Sequence, residues 1–240
     1  MNSRLCYNFY KITQEVLMTM QAQQYWNEVG SKKDFEDPLY LERLSSFLTK
    51  ESKILEYGCG YGRLMQILSG NGYHNLVGYD FAQSMIERGK DVYPNLDLRL
   101  LEEPCKIPCK NESVDAVIMS TVLCCMIDSN EQEKLIEEIW RVLKNKGVLY
   151  LSDFLICDDE RYKEKYSEGF QSFGTWGIYT TSENLTVRHL TTQGVLERLK
   201  NFDIQWFEQF DFKTMNQNPA RTFHCIGVKH LQKNFKSDRG

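Results

Sequence analysis

The stretch Ile54-Leu55-Glu56-Tyr57-Gly58-Cys59-Gly60-Tyr61-Gly62-Arg63-Leu64 decides how the rest of the chain is read. A short apolar run ends at an acid, three glycines follow at alternate positions, and an amphipathic helical pattern begins. That order describes a buried strand, a tight turn and a helix N-terminus. The glycines would let backbone N–H groups come close to whatever lies across the strand end. Asp80, eighteen residues after Gly62, closes a second apolar run, Leu76-Val77-Gly78-Tyr79. An acid at the end of the neighbouring strand suits a ribose diol.

These residues point to an adenosyl ligand, and the glycine spacing narrows its kind. A dinucleotide site needs G-x-G-x-x-G so that a helix N-terminus can hold a pyrophosphate. Here the spacing is Gly58-x-Gly60-x-Gly62, and Glu56 stands just before the turn. Glu56 would repel a pyrophosphate and pair with an ammonium, so the ligand expected is adenosine carrying an amino-acid tail. The stretch resembles the first motif of the class I S-adenosylmethionine-dependent methyltransferases. Ser113-Val114-Asp115-Ala116-Val117-Ile118-Met119-Ser120 looks like that family's fourth strand. Ile139-Trp140-Arg141-Val142-Leu143-Lys144-Asn145-Lys146-Gly147-Val148-Leu149-Tyr150 looks like its helix, glycine turn and fifth strand. The likeness runs in order over roughly residues 36–153.

The patterning around these motifs alternates strands at 53–57, 75–80, 96–101, 113–120 and 148–153 with helices at 62–69, 83–91 and 130–144. That order predicts a doubly wound parallel sheet with ligands at the carboxyl ends of its strands. Asp37-Pro38 reads as an N-cap and first helical position, followed by Leu41, Leu44 and Leu48 on one face. Ser129-x-x-Gln132 reads as a capping box for the helix at 130–144. After Asp153 regularity lapses over some thirty-five glycine- and aromatic-rich residues, which suits a functional loop. A helix near 192–200 and strands at 202–212 and 221–230 complete the pattern. The resemblance implies a Rossmann-like α/β fold: a seven-stranded, mostly parallel sheet with a C-terminal antiparallel strand and helices on both faces. The expected divisions are a helical cap over 1–35, a methyltransferase domain over 36–230 with a lid or substrate insertion at 154–190, and a polar tail over 231–240.

The cofactor expected from the resemblance is S-adenosyl-L-methionine, released as S-adenosyl-L-homocysteine. Glu56, Gly58, Cys59, Gly60, Gly62 and Asp80 are assigned to it. Arg63 either pairs with its carboxylate or sits exposed on the first helix, and Phe81 either stacks near adenine or packs in the core. The family places an acid near the adenine amino group after the third strand, and here Glu102 and Glu103 both stand as candidates. Ser120 and Thr121 fall beside the methionine part, and Tyr25-Trp26-Asn27 resembles an aromatic segment that closes over the cofactor. The alternative for Trp26 is packing on a helix surface. On the acceptor side, His189 and Asp153 are the catalytic candidates, with Tyr179 and Arg188 nearby in sequence. Asn216 and Arg221 would orient a polar acceptor or stabilise a turn and a sheet edge.

The net charge of −4 argues against a general polyanion binder. No apolar window approaches a membrane span, and eight cysteines placed largely in core-like positions read as reduced thiols, so a cytoplasmic location is expected. Cys105 and Cys109 lack a second ligand pair at zinc spacing, so no metal is expected. The reading is a methyltransferase acting by one-step in-line displacement on a small molecule, with no nucleic-acid or membrane partner. A non-catalytic S-adenosylmethionine-binding protein, or an enzyme acting on RNA or protein, is the alternative.

Overall fold

The computed structural model describes residues 20–29 and 32–230. The first nineteen residues of the expected helical cap and the polar tail at 231–240 lie outside the described residues. Five strands alternate with helices: β1 (Ile54–Tyr57), α3 (Arg63–Gly70), β2 (Leu76–Asp80), α4 (Gln83–Val92), β3 (Leu98–Leu100), β4 (Val114–Ser120), α5 (Ser129–Val142) and β5 (Leu143–Leu155). Ahead of them stand α1 (residues 20–29) and the short α2 (Leu41–Ser45). After β5 come α6 (Glu160–Phe173), β6 (Ile178–Thr180), β7 (Thr186–Arg188), α7 (Thr192–Arg198), β8 (Phe202–Lys213) and β9 (Pro219–Lys229).

The main sheet has seven strands in the order β3-β2-β1-β4-β5-β9-β8. β1 through β5 pair in parallel, whereas β9 runs antiparallel to both β5 and β8. The expected fold class is therefore the one observed. Residues alternate between faces along each strand, and here both faces are covered. Val117 and Met119 pack with Leu135 and Ile139 of α5, while Ala116 and Ile118 pack with Leu64 and Leu68 of α3. Burial on both faces is why these strands read as unbroken apolar runs.

Three local expectations are corrected. The segment after Asp153 is largely regular: β5 runs to Leu155, α6 follows, and β6 pairs with β7 in a small antiparallel hairpin. α6 buries Tyr162, Tyr166 and Gly169 and begins at the N-cap Asp159, whose side chain accepts from the Tyr162 amide. Asp128, rather than Ser129, caps α5 by accepting from the Asn130 and Glu131 amides. Asp37 caps no helix; its carboxylate accepts from Ser120 and Ser152 instead.

The strand order reverses at β1, which lies between β2 and β4. In doubly wound sheets that reversal opens a crevice beyond the carboxyl ends of the strands. Asp80 and Ser120 end β2 and β4 on that side, and Glu56 stands one residue before the end of β1.

Candidate functional site

A cavity of about 690 Å³ occupies this crevice. Gly58, Cys59 and Gly60 of the β1–α3 turn line its inner wall, whereas Gly62 lies outside the lining. Gly58, Gly60 and Gly62 have φ of 72, 53 and 86°, the left-handed region that side chains disfavour. Gly58 is held there twice over, because a Cβ would lie 2.4 Å from Cγ2 of Val122. The turn spends its amides internally: those of Gly58 and Cys59 donate to the Tyr79 carbonyl, and that of Gly62 to Cys59. The amides of Gly58, Cys59, Gly60 and Gly62 are thus engaged within the protein. The Cys59 thiol packs with Met65, Ile86 and Leu98.

Asp80 joins the turn to α4. Its Oδ2 accepts the Gly60 amide at 2.8 Å, and its Oδ1 accepts the Ala82 amide at 2.8 Å. Burial raises its pKa to about 6, and these amides pull the other way. Each carboxylate oxygen keeps a further lone pair, and the residue lines the cavity.

Glu56 is 3% exposed on the same wall, and burial pushes its pKa up to about 8. Arg63 opposes that rise without approaching closely enough to form an ion pair among the described residues. Arg63 donates through Nη2 to the Asp37 carbonyl, which keeps it in the wall rather than in solvent. Glu56 Oε2 and Arg63 Nε are both buried with no hydrogen-bond partner among the described residues. An orphaned buried acceptor and an orphaned buried donor in one wall leave a gap of dipolar character. A zwitterionic α-amino acid group would satisfy both.

Ser120 and Thr121 close the inner half. Thr121 is held at φ 53° by its amide bond to the Ser152 carbonyl. Such a conformation in a non-glycine residue is costly and marks functional loops. Phe81 and Trp26 also line the cavity. Helix α1, which carries Trp26, is fastened across the mouth: Gln23 donates to the Phe81 carbonyl, and Ser84 donates to the Trp26 carbonyl and to Asn27. At its far side Tyr25 and Lys33 both donate to Glu183 in the β6–β7 turn, which draws the Glu183 pKa down to about 2.

The outer half is bounded by Met126, Ile127, Phe173, Ile178 and Ala22, with Arg188, Asp128 and Glu131 as its charged members. Arg188 is anchored by Nη1 to the Ile127 carbonyl at 2.7 Å and to Ser129 Oγ at 2.9 Å. It makes no ion pair among the described residues, and burial lowers its pKa.

Several expected residues are not brought to the cavity. His189 is 3% exposed and lies outside the lining, stacked on Phe154 with ring centroids 5.2 Å apart. Its Nδ1 meets Tyr166 at 2.7 Å and its Nε2 meets Tyr179 at 3.3 Å. Burial and the nearby Lys165 lower its pKa to about 3, so it is neutral and has both nitrogens engaged. The assignment of His189 as a base is corrected to that of a buried packing residue. Asp153 is likewise buried outside the lining, accepting the Cys124 and Phe154 amides, with a pKa raised to about 7 by burial. Its role is to shape the turn after β4. Glu102 and Glu103 are exposed, and Leu101 and Pro104 face the cavity in their place. Glu103 pairs with Lys106 in solvent. Asn216 bonds Glu183, and Arg221 lies 3.8 Å from Asp211, so both serve turns and edges. Among the described residues no group of three His, Cys, Asp or Glu could hold a metal. Asp37, which the sequence presented as a cap, is among the lining residues that were missed, as are Asp128 and Glu131.

Comparison with known proteins fits this arrangement. The methyltransferase-domain family model matches residues 55–151. A carboxy-S-adenosyl-L-methionine synthase of Nautilia profundicola is 25% identical over 173 residues, covering 68% of this chain and 74% of that protein. A ubiquinone/menaquinone biosynthesis C-methyltransferase of Campylobacter jejuni is 25% identical over 117 residues, covering 46% and 48%. In fold, the chain resembles an S-adenosylmethionine-dependent methyltransferase of Methanosarcina mazei, with a TM-score of 0.76 and 22% identity over 82% of this chain and 100% of that one. These matches support a class I S-adenosylmethionine-dependent methyltransferase, with S-adenosylmethionine as its cofactor.

Proposed function

We propose that the enzyme methylates a small molecule bound in the outer half of the cavity. The unsatisfied pair Glu56 Oε2 and Arg63 Nε carries the reading, because it matches the ammonium and carboxylate of an amino-acid tail. Asp80 would accept the ribose hydroxyls, Phe81 and Leu101 would flank the adenine, and Ser120 and Thr121 would border the methionine chain. Bound there, S-adenosylmethionine supplies an electrophilic methyl group on sulfur. With His189 and Asp153 buried outside the cavity, this chain contributes alignment and water exclusion rather than an assigned base. Helix α1 and the end of α6 close the acceptor space, and Trp26, Met126, Phe173 and Ile178 favour an acceptor with an apolar or aromatic part. That enclosure and the net charge of −4 favour a small molecule over a nucleic acid. Among the described residues no helix is long and apolar enough to cross a membrane, and the seven described cysteines are free thiols. A reducing, cytoplasmic setting fits them.

A second reading has Arg188 behind it: a half-buried guanidinium that makes no ion pair among the described residues suits an acceptor that bears a carboxylate. The test is to incubate the enzyme with methyl-labelled S-adenosylmethionine and a cell extract, then separate products by mass. Label in the low-mass fraction, lost in Asp80→Ala, is the expected result. Label confined to RNA or protein contradicts the small-molecule reading. A spent cofactor that has gained a carboxyl group would contradict methyl transfer itself.

A further inference from the structure

Asp37 is tied inward by a chain of polar groups that the cofactor contacts proposed above do not use. Tyr150 Oη in β5 accepts the Tyr40 amide at 3.1 Å and lies 2.8 Å from His224 Nδ1 in β9. In the tautomer in which Tyr150 donates to Nδ1, the imidazole proton sits on Nε2. Nε2 faces Asp37 Oδ1 at 3.6 Å, and neither atom has a hydrogen-bond partner among the described residues. The gap is too long for a hydrogen bond, but it joins two buried, complementary groups. The other oxygen of Asp37 accepts from Ser120 Oγ at 2.6 Å and from Ser152 Oγ at 2.9 Å. Tyr40, Trp206 and Phe210 wall the imidazole off from water, and the charged groups bearing on it are Asp37 and, from β8, Glu208. Burial lowers the His224 pKa against the pull of those two carboxylates, so a neutral N–H donor is what Asp37 meets.

The consequence falls on Ser120, which lines the cavity while giving its proton to Asp37. Ser152 Oγ also donates toward Ser120 Oγ at 2.9 Å, so a serine hydroxyl that gives its proton to Asp37 keeps one lone pair for the cavity. We propose that Tyr150, His224 and Asp37 form a positioning relay that makes Ser120 an acceptor for the ammonium of the cofactor's amino-acid tail, alongside Glu56. This inference rests on the cofactor reading and adds to it a set of residues from β5 and β9 that touch no ligand.

The test compares two probes by calorimetry at pH 7: S-adenosylhomocysteine, and 5′-methylthioadenosine, which has the same adenosine and no amino-acid tail. His224→Phe fills the aromatic site but removes the donor. It is expected to weaken S-adenosylhomocysteine about tenfold and to change 5′-methylthioadenosine less than twofold, while His224→Gln, which keeps an N–H donor, recovers most of the loss. Tyr150→Phe, which removes a single hydroxyl, should shift the same ligand in the same direction and decides the matter if His224→Phe does not fold. Unchanged affinity for S-adenosylhomocysteine, or equal losses for both probes, would overturn the relay. A wild-type protein that binds neither probe would remove the cofactor reading, and this inference with it.

Discussion

Titrating the affinity for S-adenosylhomocysteine against pH probes Glu56 directly. In the free protein burial holds its pKa near 8, against an ordinary 4.5. A carboxyl whose folded pKa is raised contributes stability that is complete below about 4.5 and is lost as pH rises through 8. An ammonium placed against Oε2 reverses that preference, so the complex holds Glu56 ionised and binding below pH 8 expels a proton. The free protein must give up that proton before the tail can dock. Between pH 6 and 7 the affinity should therefore rise about ninefold, equivalent to about 1.3 kcal/mol. Asp80, with a pKa of about 6, contributes at most about twofold over that interval, and does so for any ligand with a ribose. The ratio of S-adenosylhomocysteine to 5′-methylthioadenosine affinity isolates Glu56. Calorimetry in two buffers of different ionisation enthalpy counts the released proton, and Glu56→Gln should flatten the ratio. A ratio that does not change with pH in the wild type, or one that changes equally in Glu56→Gln, would refute the placement of the ammonium.

Gly58→Ala should destabilise the protein by about 2–5 kcal/mol, the sum of a left-handed alanine and an overlap with Val122. Val122→Ala should relieve only the overlap, so urea midpoints that show Val122→Ala equally costly with and without Gly58→Ala would contradict the packing. His189, with its pKa depressed to about 3, contributes stability that is present above 6.5 and lost as pH falls toward 3. The wild type should lose about 2 kcal/mol more than His189→Gln between pH 7 and pH 5, and equal losses would show that the imidazole is not held neutral.

The sheet was legible because its chemistry is repetitive. β1, β2, β4 and β5 are buried on both faces, so each appears as an apolar run, with Glu56 next to the end of β1 and Asp80 and Ser120 at the ends of β2 and β4. The alternate glycines were informative because three positive φ angles at alternate positions admit little else. Helix α6 was missed although Tyr162, Tyr166, Gly169 and Phe173 follow helical spacing. Its apolar stripe is built of tyrosines among lysines and glutamates, and the glycines that follow it resemble a loop. Single polar residues were harder, since their direction depends on neighbours distant in sequence. Asp37 looks like a cap until Ser120 and Ser152, 83 and 115 residues away, draw its carboxylate toward the sheet. His189 looks like a base until Tyr166 and Tyr179 are folded around it. The turn after β3 exposes Glu102 and Glu103, and Leu101 and Pro104 line the cavity there instead.

Thermal unfolding with S-adenosylmethionine, S-adenosylhomocysteine and NAD, each at about a hundred times a typical dissociation constant, tests the central claim most directly. The two adenosyl sulfur compounds should each add about 2.7 kcal/mol and raise the midpoint by about 5–10 °C, and NAD should leave it unchanged. A shift with NAD alone would contradict the account.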